Sequence, residues 1–226
     1  MAVLVECAPA AVKGKDCPPD ANPCKGSPSG LGPGSVPGRI RVIGEGGTRR
    51  VRGILTVFAG PMFAGKSAHL LSDYPEDAAT LCLAPAFDTR SGAQIKSRVG
   101  LSRAARSVSS WPEDFAAYRH ILLDEGHFMI APHYEGDVVR DIERALDKGV
   151  NVTVAGLDTD YRREAFVVMD RLRALADHYV SLTARCHHCG APASWTAKKH
   201  PTGHLLETGD EDLYEARCNA HWQSPD

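Results

Sequence analysis

The 226-residue sequence has no uninterrupted apolar run near the roughly 20 residues that a membrane-spanning helix requires. Its first residues lack the basic segment that precedes the apolar part of a secretory signal peptide. It also lacks an excess of charge of one sign, since 26 Lys and Arg stand against 28 Asp and Glu. We therefore expect a cytoplasmic protein whose main partner is neither a membrane nor a nucleic acid.

The sequence also lacks the even set of cysteines typical of a disulfide framework. Its seven cysteines include two spacings that suit a metal, which favours reduced thiols. The segment "CPPDANPCKGSPSGLGPGSVPG" has few residues that a core could bury and is rich in Pro, Gly and Ser. We predict that residues 1–50 form a disordered extension, in which Cys7, Cys17 and Cys24 match no zinc spacing.

Beyond residue 50, β-branched runs alternate with helical stretches. The runs are "ILTVFA", "AATLCLA", "HILLDE", "VNVTVAG" and "HYVSLTA". This alternation predicts a parallel sheet covered by helices. The clearest helix is "HYEGDVVRDIERALDKG", which Gly149 ends and which precedes "VNVTVAG" like the crossover of a βαβ unit. One face of this helix carries the apolar residues Val138, Ile142, Ala145 and Leu146.

A glycine-flanked loop follows the first predicted strand in "GILTVFAGPMFAGKSAHLL". It matches G-x-x-x-x-G-K-[ST], with a strand before it and a helix after it. In such a loop, backbone N–H groups point at phosphate oxygens, the lysine neutralises their charge and the serine can bind Mg²⁺. The pattern predicts residues 51–183 as a P-loop (RecA-like) α/β domain. The residues expected at the phosphates are Gly60, Pro61, Met62, Phe63, Ala64, Gly65, Lys66 and Ser67.

Two adjacent carboxylates, Asp124 and Glu125, follow the apolar run in "HILLDEGHF". An Asp at the end of a buried strand beside a phosphate loop is where such proteins hold Mg²⁺. At the carboxyl edge of the sheet, Glu125 would be placed to accept a proton from a hydroxyl or to orient a water. The alternative is that both acids only cap the next turn, and the fragment fits a kinase and a hydrolase equally.

A metal pattern lies near the C-terminus, in "RCHHCG" and "RCNAHW". The spacings C-x-x-C and C-x-x-H let two short loops present two ligands each to one tetrahedral Zn²⁺. His187 and His188 compete as ligands, but they lie inside the first loop, where they cannot easily join both cysteines on one ion. The alternative is thiols without a metal. We predict that residues 184–226 form a small zinc domain whose ligands are Cys186, Cys189, Cys218 and His221.

Seven short segments carry a resemblance to a known family. They are "GPMFAGKS", "DTRSG", "SRVGLS", "LLDEGHF", "VAGLDTDYRREAF", "SLTARCHHC" and "DLYEARCNAH", in this order between residues 53 and 222. The sequence resembles the zinc-containing, tetrameric (class II) thymidine kinases. The resemblance implies transfer of the γ-phosphoryl of ATP to the 5′-hydroxyl of thymidine, or of deoxyuridine, in nucleotide salvage. It also implies a homotetramer and feedback by dTTP.

The resemblance assigns roles to individual residues. Glu125 matches the catalytic base, and Asp124 with Ser67 matches the Mg²⁺ shell. Asp88 and Arg90 match residues near the sugar and the phosphates, where an arginine could stabilise transferred charge, although a surface ion pair is the alternative.

The nucleoside base would be enclosed by a flexible "lasso" at about residues 198–215, which zinc holds at both ends. The lasso would open for nucleoside entry and close to exclude water from ATP. Thr183 would face the 5-methyl group. The residues that match the nucleoside pocket are Met62, Phe128, Leu157, Tyr161, Phe166, Thr183 and Tyr214.

The sequence departs from the family pattern at three places. The stretch 66–88 is short, and Pro75 predicts that its helix ends early. His127 stands where Gln is more common, and we expect it to be a hydrogen-bonding substitute. The lasso has one glycine where two are common, and Asn219 replaces a frequent Arg. These differences bear on nucleoside affinity and selectivity more than on the chemistry.

Two other functions fit part of the pattern. A P-loop protein with a zinc ribbon could be an ATPase that acts on nucleic acid, but the zinc segment is only modestly basic. A non-catalytic relative could sense dTTP without turnover. The presence of Glu125, Lys66 and Ser67 favours a kinase over both.

Overall fold

The computed structural model describes residues 51–74, 76–89, 92–199 and 212–224. The predicted disorder of residues 1–50 lies outside the described residues, as do Pro75, Arg90 and most of the predicted lasso.

Twelve strands and three helices form the described part of the chain. The strands are β1 (Leu55–Ala59), β2 (Thr80–Pro85), β3 (Gln94–Lys96), β4 (Ser102–Ala104), β5 (Arg106–Val108), β6 (His120–Leu123), β7 (Asn151–Gly156), β8 (His178–Ser181), β9 (Ala184–Arg185), β10 (Pro192–Ala193), β11 (Trp195–Lys198) and β12 (Tyr214–Arg217). The helices are α1 (Lys66–Ser72), α2 (Val138–Asp147) and α3 (Val167–Leu175). Short 3₁₀ turns span Glu113–Ala117 and Gly126–Phe128.

Six strands form one sheet in the order β5-β2-β6-β7-β1-β8, and every neighbouring pair is parallel. Each of the five predicted apolar runs contributes one strand, so the predicted α/β fold with a parallel sheet is confirmed. The sixth strand, β5, was not predicted from the sequence. It is a three-residue edge strand with two exposed residues, so it carries no apolar run that could reveal it.

The central strands bury both of their faces, because helices cover both sides of the sheet. In β1, Leu55, Val57 and Ala59 pack in one cluster with α2 and α3. Phe58 points to the other side and packs with Leu70 of α1. This alternation follows from the two-residue period of a strand. It explains why these strands read as continuous apolar runs.

Helix α2 confirms the predicted crossover between β6 and β7. It begins at Val138, five residues after the start of the predicted stretch, because the Asp137 carboxylate caps it by accepting a hydrogen bond from the Val139 N–H at 3.1 Å. Gly149 follows the helix with a φ of +82°, which lets the chain turn back into β7. All four residues predicted for its apolar face are buried in the core.

Helix α1 ends at Ser72, which confirms the early end that the sequence predicts. The Arg103 guanidinium reaches this end from β4. It donates hydrogen bonds to the carbonyl oxygens of Leu71 at 3.2 Å and Tyr74 at 2.9 Å. The Leu71 carbonyl is one that the helix end leaves without an intrahelical partner, and Tyr74 follows the helix. The short helix is thereby tied to the β3–β4 hairpin.

The chain after β8 forms two short antiparallel pairs, β9 with β10 and β11 with β12. The division between residues 183 and 184 into a kinase domain and a zinc domain stays an interpretation. None of the helices in the described ranges has the length and apolar composition needed to cross a bilayer.

We predict that Ile142→Ala lowers the free energy of unfolding by about 2–5 kcal/mol, because Ile142 is fully buried and its truncation leaves a cavity. Glu143→Ala is the matched control on the exposed side of α2, and it should change stability by less than about 0.5 kcal/mol. Urea unfolding of both variants measures the difference. Equal stabilities would show that α2 does not pack on the sheet as described.

Candidate active site

The turn of the phosphate loop depends on two glycines. Gly60 has a φ of +150°, and a Cβ at this position would lie 2.3 Å from the Leu182 carbonyl oxygen. Gly65, directly before α1, has a φ of +79°. Other residues disfavour this backbone conformation, and at Gly60 a side chain has no room. The loop therefore connects β1 to α1 in the way that the motif predicts.

The ammonium group of Lys66 lies inside this loop. Its Nζ donates a hydrogen bond to the Pro61 carbonyl oxygen at 2.7 Å, and the residue is only 8% exposed. Burial lowers the pKa of Lys66, and the negative charges of Glu125 and Asp124 oppose this shift. The loop thus holds a cation at the place where a phosphate would enter.

Asp124 follows β6 directly and lies beside the loop. Its N–H donates to the Leu83 carbonyl oxygen at 3.0 Å, which extends the pairing of β6 with β2. Its carboxylate accepts hydrogen bonds from the Ser67 hydroxyl and from the Glu125 N–H. Burial, together with the Glu125 carboxylate, raises the pKa of Asp124 to about 7. A buried carboxylate beside a hydroxyl is a donor set that fits Mg²⁺.

Glu125 has a left-handed backbone, with φ of 50° and ψ of 41°, which is uncommon for a residue other than glycine. Its side chain makes no capping hydrogen bond to the 3₁₀ turn Gly126–Phe128 within the described part of the chain. The side chain is 26% exposed and lines a cavity. This geometry does not favour the capping interpretation for Glu125, whereas the Asp124 carboxylate does accept a backbone N–H in the turn.

His127 packs against Glu125 from inside the fold. Its Nδ1 accepts a hydrogen bond from the Leu157 N–H at 3.3 Å and lies 3.6 Å from Glu125 Oε2. Its ring contacts the rings of Phe128 and Phe166, with centroids 4.1 Å and 4.8 Å away. The buried histidine thus forms a backbone hydrogen bond, as expected for a substitute of Gln, and its ring lies beside the Glu125 carboxylate.

The loop, the carboxylates and several aromatic residues line one cavity of about 510 Å³. Its lining combines charged groups with aromatic rings, which suits a ligand that has both an anionic and a flat apolar part. The predicted site residues that line it are Met62, Phe63, Gly65, Lys66, Ser67, Asp88, Asp124, Glu125, Phe128, Leu157, Tyr161, Phe166 and Tyr214.

The four predicted zinc ligands meet in one cluster, although 35 residues separate the first from the last in sequence. The ligand atoms of Cys186, Cys189, Cys218 and His221 all lie within 4.8 Å of one another. The sulfur atoms of Cys189 and Cys218 are 3.8 Å apart. Tetrahedral zinc with bonds of about 2.3 Å requires a sulfur separation of about 3.8 Å. The donor set and its geometry fit Zn²⁺.

The two competing histidines have other contacts. His187 Nδ1 accepts a hydrogen bond from the Ala216 N–H at 3.0 Å, which directs this nitrogen to β12. The His188 ring lies against the His221 ring, with centroids 4.1 Å apart. Neither belongs to the cluster, in agreement with the prediction.

The zinc cluster and the phosphate loop pack against each other. The Met62 N–H donates to the Thr196 hydroxyl at 3.0 Å. Phe63 packs on the small core around Ala184 and Cys186. The Phe63 ring also contacts the His187 ring edge-on, and its centroid lies 4.3 Å from the guanidinium carbon of Arg98. The glycine-flanked loop and the predicted zinc cluster therefore share one packed interface.

Comparison with known proteins agrees with this geometry. A family model for thymidine kinase matches residues 53–222, three quarters of the chain. The chain belongs to the thymidine kinase family. A thymidine kinase from Mesomycoplasma hyopneumoniae strain 7448 is 36% identical over 178 residues, which cover 74% of this chain and 94% of that protein. One from Thermococcus kodakarensis is 32% identical over 190 residues, 77% of this chain and 96% of that protein.

Not every residue that the thymidine kinase resemblance assigns lies in the main cavity. Thr183 instead lines a second cavity of about 460 Å³ with Phe63 and Arg185. The reason is local, because the Leu182 N–H bonds to the Ala59 carbonyl oxygen at 2.7 Å and keeps this segment beside the start of the phosphate loop. Phe63 lines both cavities, and the assignment of Thr183 to the nucleoside stays a prediction.

Gly60, Pro61 and Ala64 do not line the main cavity. The contribution of Gly60 and Ala64 to phosphate binding is expected from their backbone N–H groups, whereas Pro61 has no N–H and its carbonyl oxygen instead accepts the hydrogen bond of Lys66. Arg90 lies outside the described residues.

Sequence reasoning missed several residues of this thymidine kinase site. Arg98 lines the cavity from the turn after β3, and its only sequence signal was its place in the family segment "SRVGLS". Trp195 does not line the cavity but was also missed, and its indole N–H donates to the Asn219 side-chain oxygen. Asn219, which replaces a frequent Arg of the family, thereby connects β11 to the second ligand loop.

We predict that the protein contains one Zn²⁺ per chain and that Cys218→Ser loses it, because a hydroxyl is a much poorer zinc ligand than a thiolate. Cys24→Ser removes a thiol that matches no zinc spacing and should leave the zinc content unchanged. Elemental analysis of the purified variants measures this. Equal zinc content in both variants would contradict the ligand set.

Proposed function

We propose that the chain is a thymidine kinase that transfers the γ-phosphoryl group of ATP to the 5′-hydroxyl of thymidine, and of deoxyuridine, in nucleotide salvage. The observation that carries this proposal is the shared cavity of the phosphate loop and the Asp124–Glu125 pair, in a chain that belongs to the thymidine kinase family. Lys66, the proposed cation for the phosphates, and Glu125, the proposed base for the hydroxyl, line the same cavity.

The proposed transfer assigns a task to each charged residue. The loop N–H groups and Lys66 bind the phosphates of ATP. Asp124 and Ser67 hold Mg²⁺, which when bound neutralises phosphate charge. Glu125 takes the proton of the 5′-hydroxyl while the nucleoside 5′-oxygen forms a bond to the γ-phosphorus. The bond from this phosphorus to the β–γ bridging oxygen breaks, and ADP leaves with that electron pair.

Nucleoside binding is assigned to the aromatic part of the cavity. Phe128, Tyr161 and Phe166 offer flat faces on which a pyrimidine can stack. Lys198 Nζ lies 5.1 Å from the Tyr161 ring centroid, at one end of the predicted lasso. Closure of the lasso over the base would keep water from competing with the nucleoside for the phosphoryl group.

Two further expectations, inhibition by dTTP and a homotetramer, rest on the resemblance. A structural role for zinc rests on the ligand spacing, and a cytoplasmic location rests on the sequence features described above. Four protein ligands leave no open position on zinc, which supports the structural role. We include these properties in the proposal as predictions.

The two alternative functions gain no support. Membership of the thymidine kinase family favours neither an ATPase that acts on nucleic acid nor a sensor without turnover. Glu125 also lines the cavity beside the phosphate loop, where a base is required for a kinase and has no use in a sensor.

We predict that purified, zinc-loaded protein phosphorylates thymidine with ATP and Mg²⁺, whereas deoxycytidine, deoxyadenosine and deoxyguanosine are poor substrates. A coupled assay of ADP release with each nucleoside measures this. ADP release without any nucleoside would indicate an ATPase. Faster turnover of a purine deoxynucleoside than of thymidine would refute the assignment.

Glu125→Gln should reduce kcat by roughly 10²–10⁴-fold and leave the binding of ATP and thymidine nearly unchanged, because glutamine keeps the shape but cannot accept the proton. Lys66→Ala is the contrasting variant. It removes the cation at the phosphates, so ATP binding and turnover should both decrease. Steady-state kinetics and direct binding titrations separate the two effects. Near-full kcat in Glu125→Gln would exclude Glu125 as the base and make Asp88 the next candidate.

A further inference from the structure

Arg163 is held between two tryptophan rings. It lies in the loop between β7 and α3, and its guanidinium carbon is 4.1 Å from the ring centroid of Trp195 and 3.9 Å from that of Trp222. A planar guanidinium can stack on an indole on each of its faces, and both contacts are attractive. Arg163 thus connects this loop to two separate segments of the zinc-bearing part.

Both tryptophans are adjacent to the second pair of zinc ligands. Trp222 follows His221 directly in the chain. Trp195 pairs across the β11–β12 hairpin with Arg217, the residue before Cys218. The position of both indoles therefore depends on the loop that presents Cys218 and His221 to the metal.

The loop that carries Arg163 also carries a cavity residue. The buried Asp160 carboxylate closes a tight turn by accepting hydrogen bonds from the N–H groups of Arg162 at 2.7 Å and Glu164 at 2.9 Å. Tyr161, in the same turn, lines the main cavity. Its carbonyl oxygen accepts a hydrogen bond from the Trp222 indole N–H at 3.3 Å. The turn is thus attached to the zinc-bearing part at two points.

The backbone of Arg163 has a conformation that its neighbours must stabilise. Its φ of +71° lies in the left-handed region, where a residue other than glycine is unfavourable. Such a conformation persists when surrounding contacts stabilise it. The stacking on Trp195 and Trp222 provides these contacts.

We propose that Arg163 is a positioning residue: its guanidinium, stacked between Trp195 and Trp222, couples the zinc cluster to the nucleoside part of the cavity by holding the turn that carries Tyr161. This inference rests on the proposed kinase function, because it assigns Tyr161 to the nucleoside. It adds a second connection between the predicted zinc cluster and the site, since the first is the packing of the cluster against the phosphate loop.

The test uses Arg163→Gly, which removes the guanidinium but is compatible with the left-handed backbone of the turn. We expect KM for thymidine to rise by up to roughly 5- to 30-fold, because loss of the stacking lowers the population of the ordered turn that binds thymidine. The kcat should stay within about threefold, and KM for ATP and zinc content should not change. Arg163→Lys keeps the positive charge but lacks the planar guanidinium, so its KM for thymidine should lie between those of the wild type and Arg163→Gly.

Arg140→Ala is the matched control, because it removes an arginine that is 80% exposed on α2. It should change none of these parameters. Tryptophan fluorescence provides a second readout, since Trp195 and Trp222 are two of the three tryptophans. The emission of Arg163→Gly should differ from that of the wild type, and that of Arg140→Ala should not.

The outcomes separate this inference from the proposed function. Wild-type protein without thymidine turnover would refute the kinase function itself. Active wild-type protein with an unchanged KM for thymidine in Arg163→Gly would overturn the role of Arg163. Loss of zinc, or an equal rise of KM for ATP, would also overturn it, because Arg163 would then stabilise the fold as a whole.

Discussion

The buried charge of Lys66 is the constraint around which the site is arranged. An ammonium group out of water is unfavourable unless hydrogen bonds and opposite charges compensate it. The Pro61 carbonyl, which only a tightly turned loop can bring to Nζ, provides one compensation. The carboxylates of Asp124 and Glu125 provide the other. Burial raises the pKa of Asp124, so a cation bound beside it, such as the expected Mg²⁺, would stabilise its charged form.

The predicted zinc cluster meets this site through packing. Its four protein ligands would leave no position for a substrate on the metal, and its neighbours form part of the wall around the glycine-flanked loop. Phe63 packs against the cluster's small core, and the Thr196 hydroxyl accepts a hydrogen bond from the Met62 N–H. The metal would therefore stabilise a wall of the cavity at some distance from the reacting groups.

The two substitutions relative to the family pattern fit into this arrangement without disturbing the charged groups. His127 accepts a backbone hydrogen bond and packs between aromatic rings, so it orders the surroundings of Glu125. Asn219 accepts a hydrogen bond from Trp195 within the zinc-bearing part. His127 lines the cavity, whereas Asn219 lies outside its lining. Neither residue replaces one of the charged groups expected to carry the phosphoryl chemistry.

The sequence by itself determined the features that contiguous residues specify: the glycine-flanked loop, the carboxylates after β6, the paired metal ligands and the buried strands. Each depends on local backbone geometry or on a short spacing, so a pattern reveals it. The tertiary structure alone decided which distant residues meet. Arg163 lies between two tryptophans that are 32 and 59 residues away in the chain, and Thr183 lines a different cavity from Tyr161. Such contacts depend on how strands and loops pack, which no local pattern encodes.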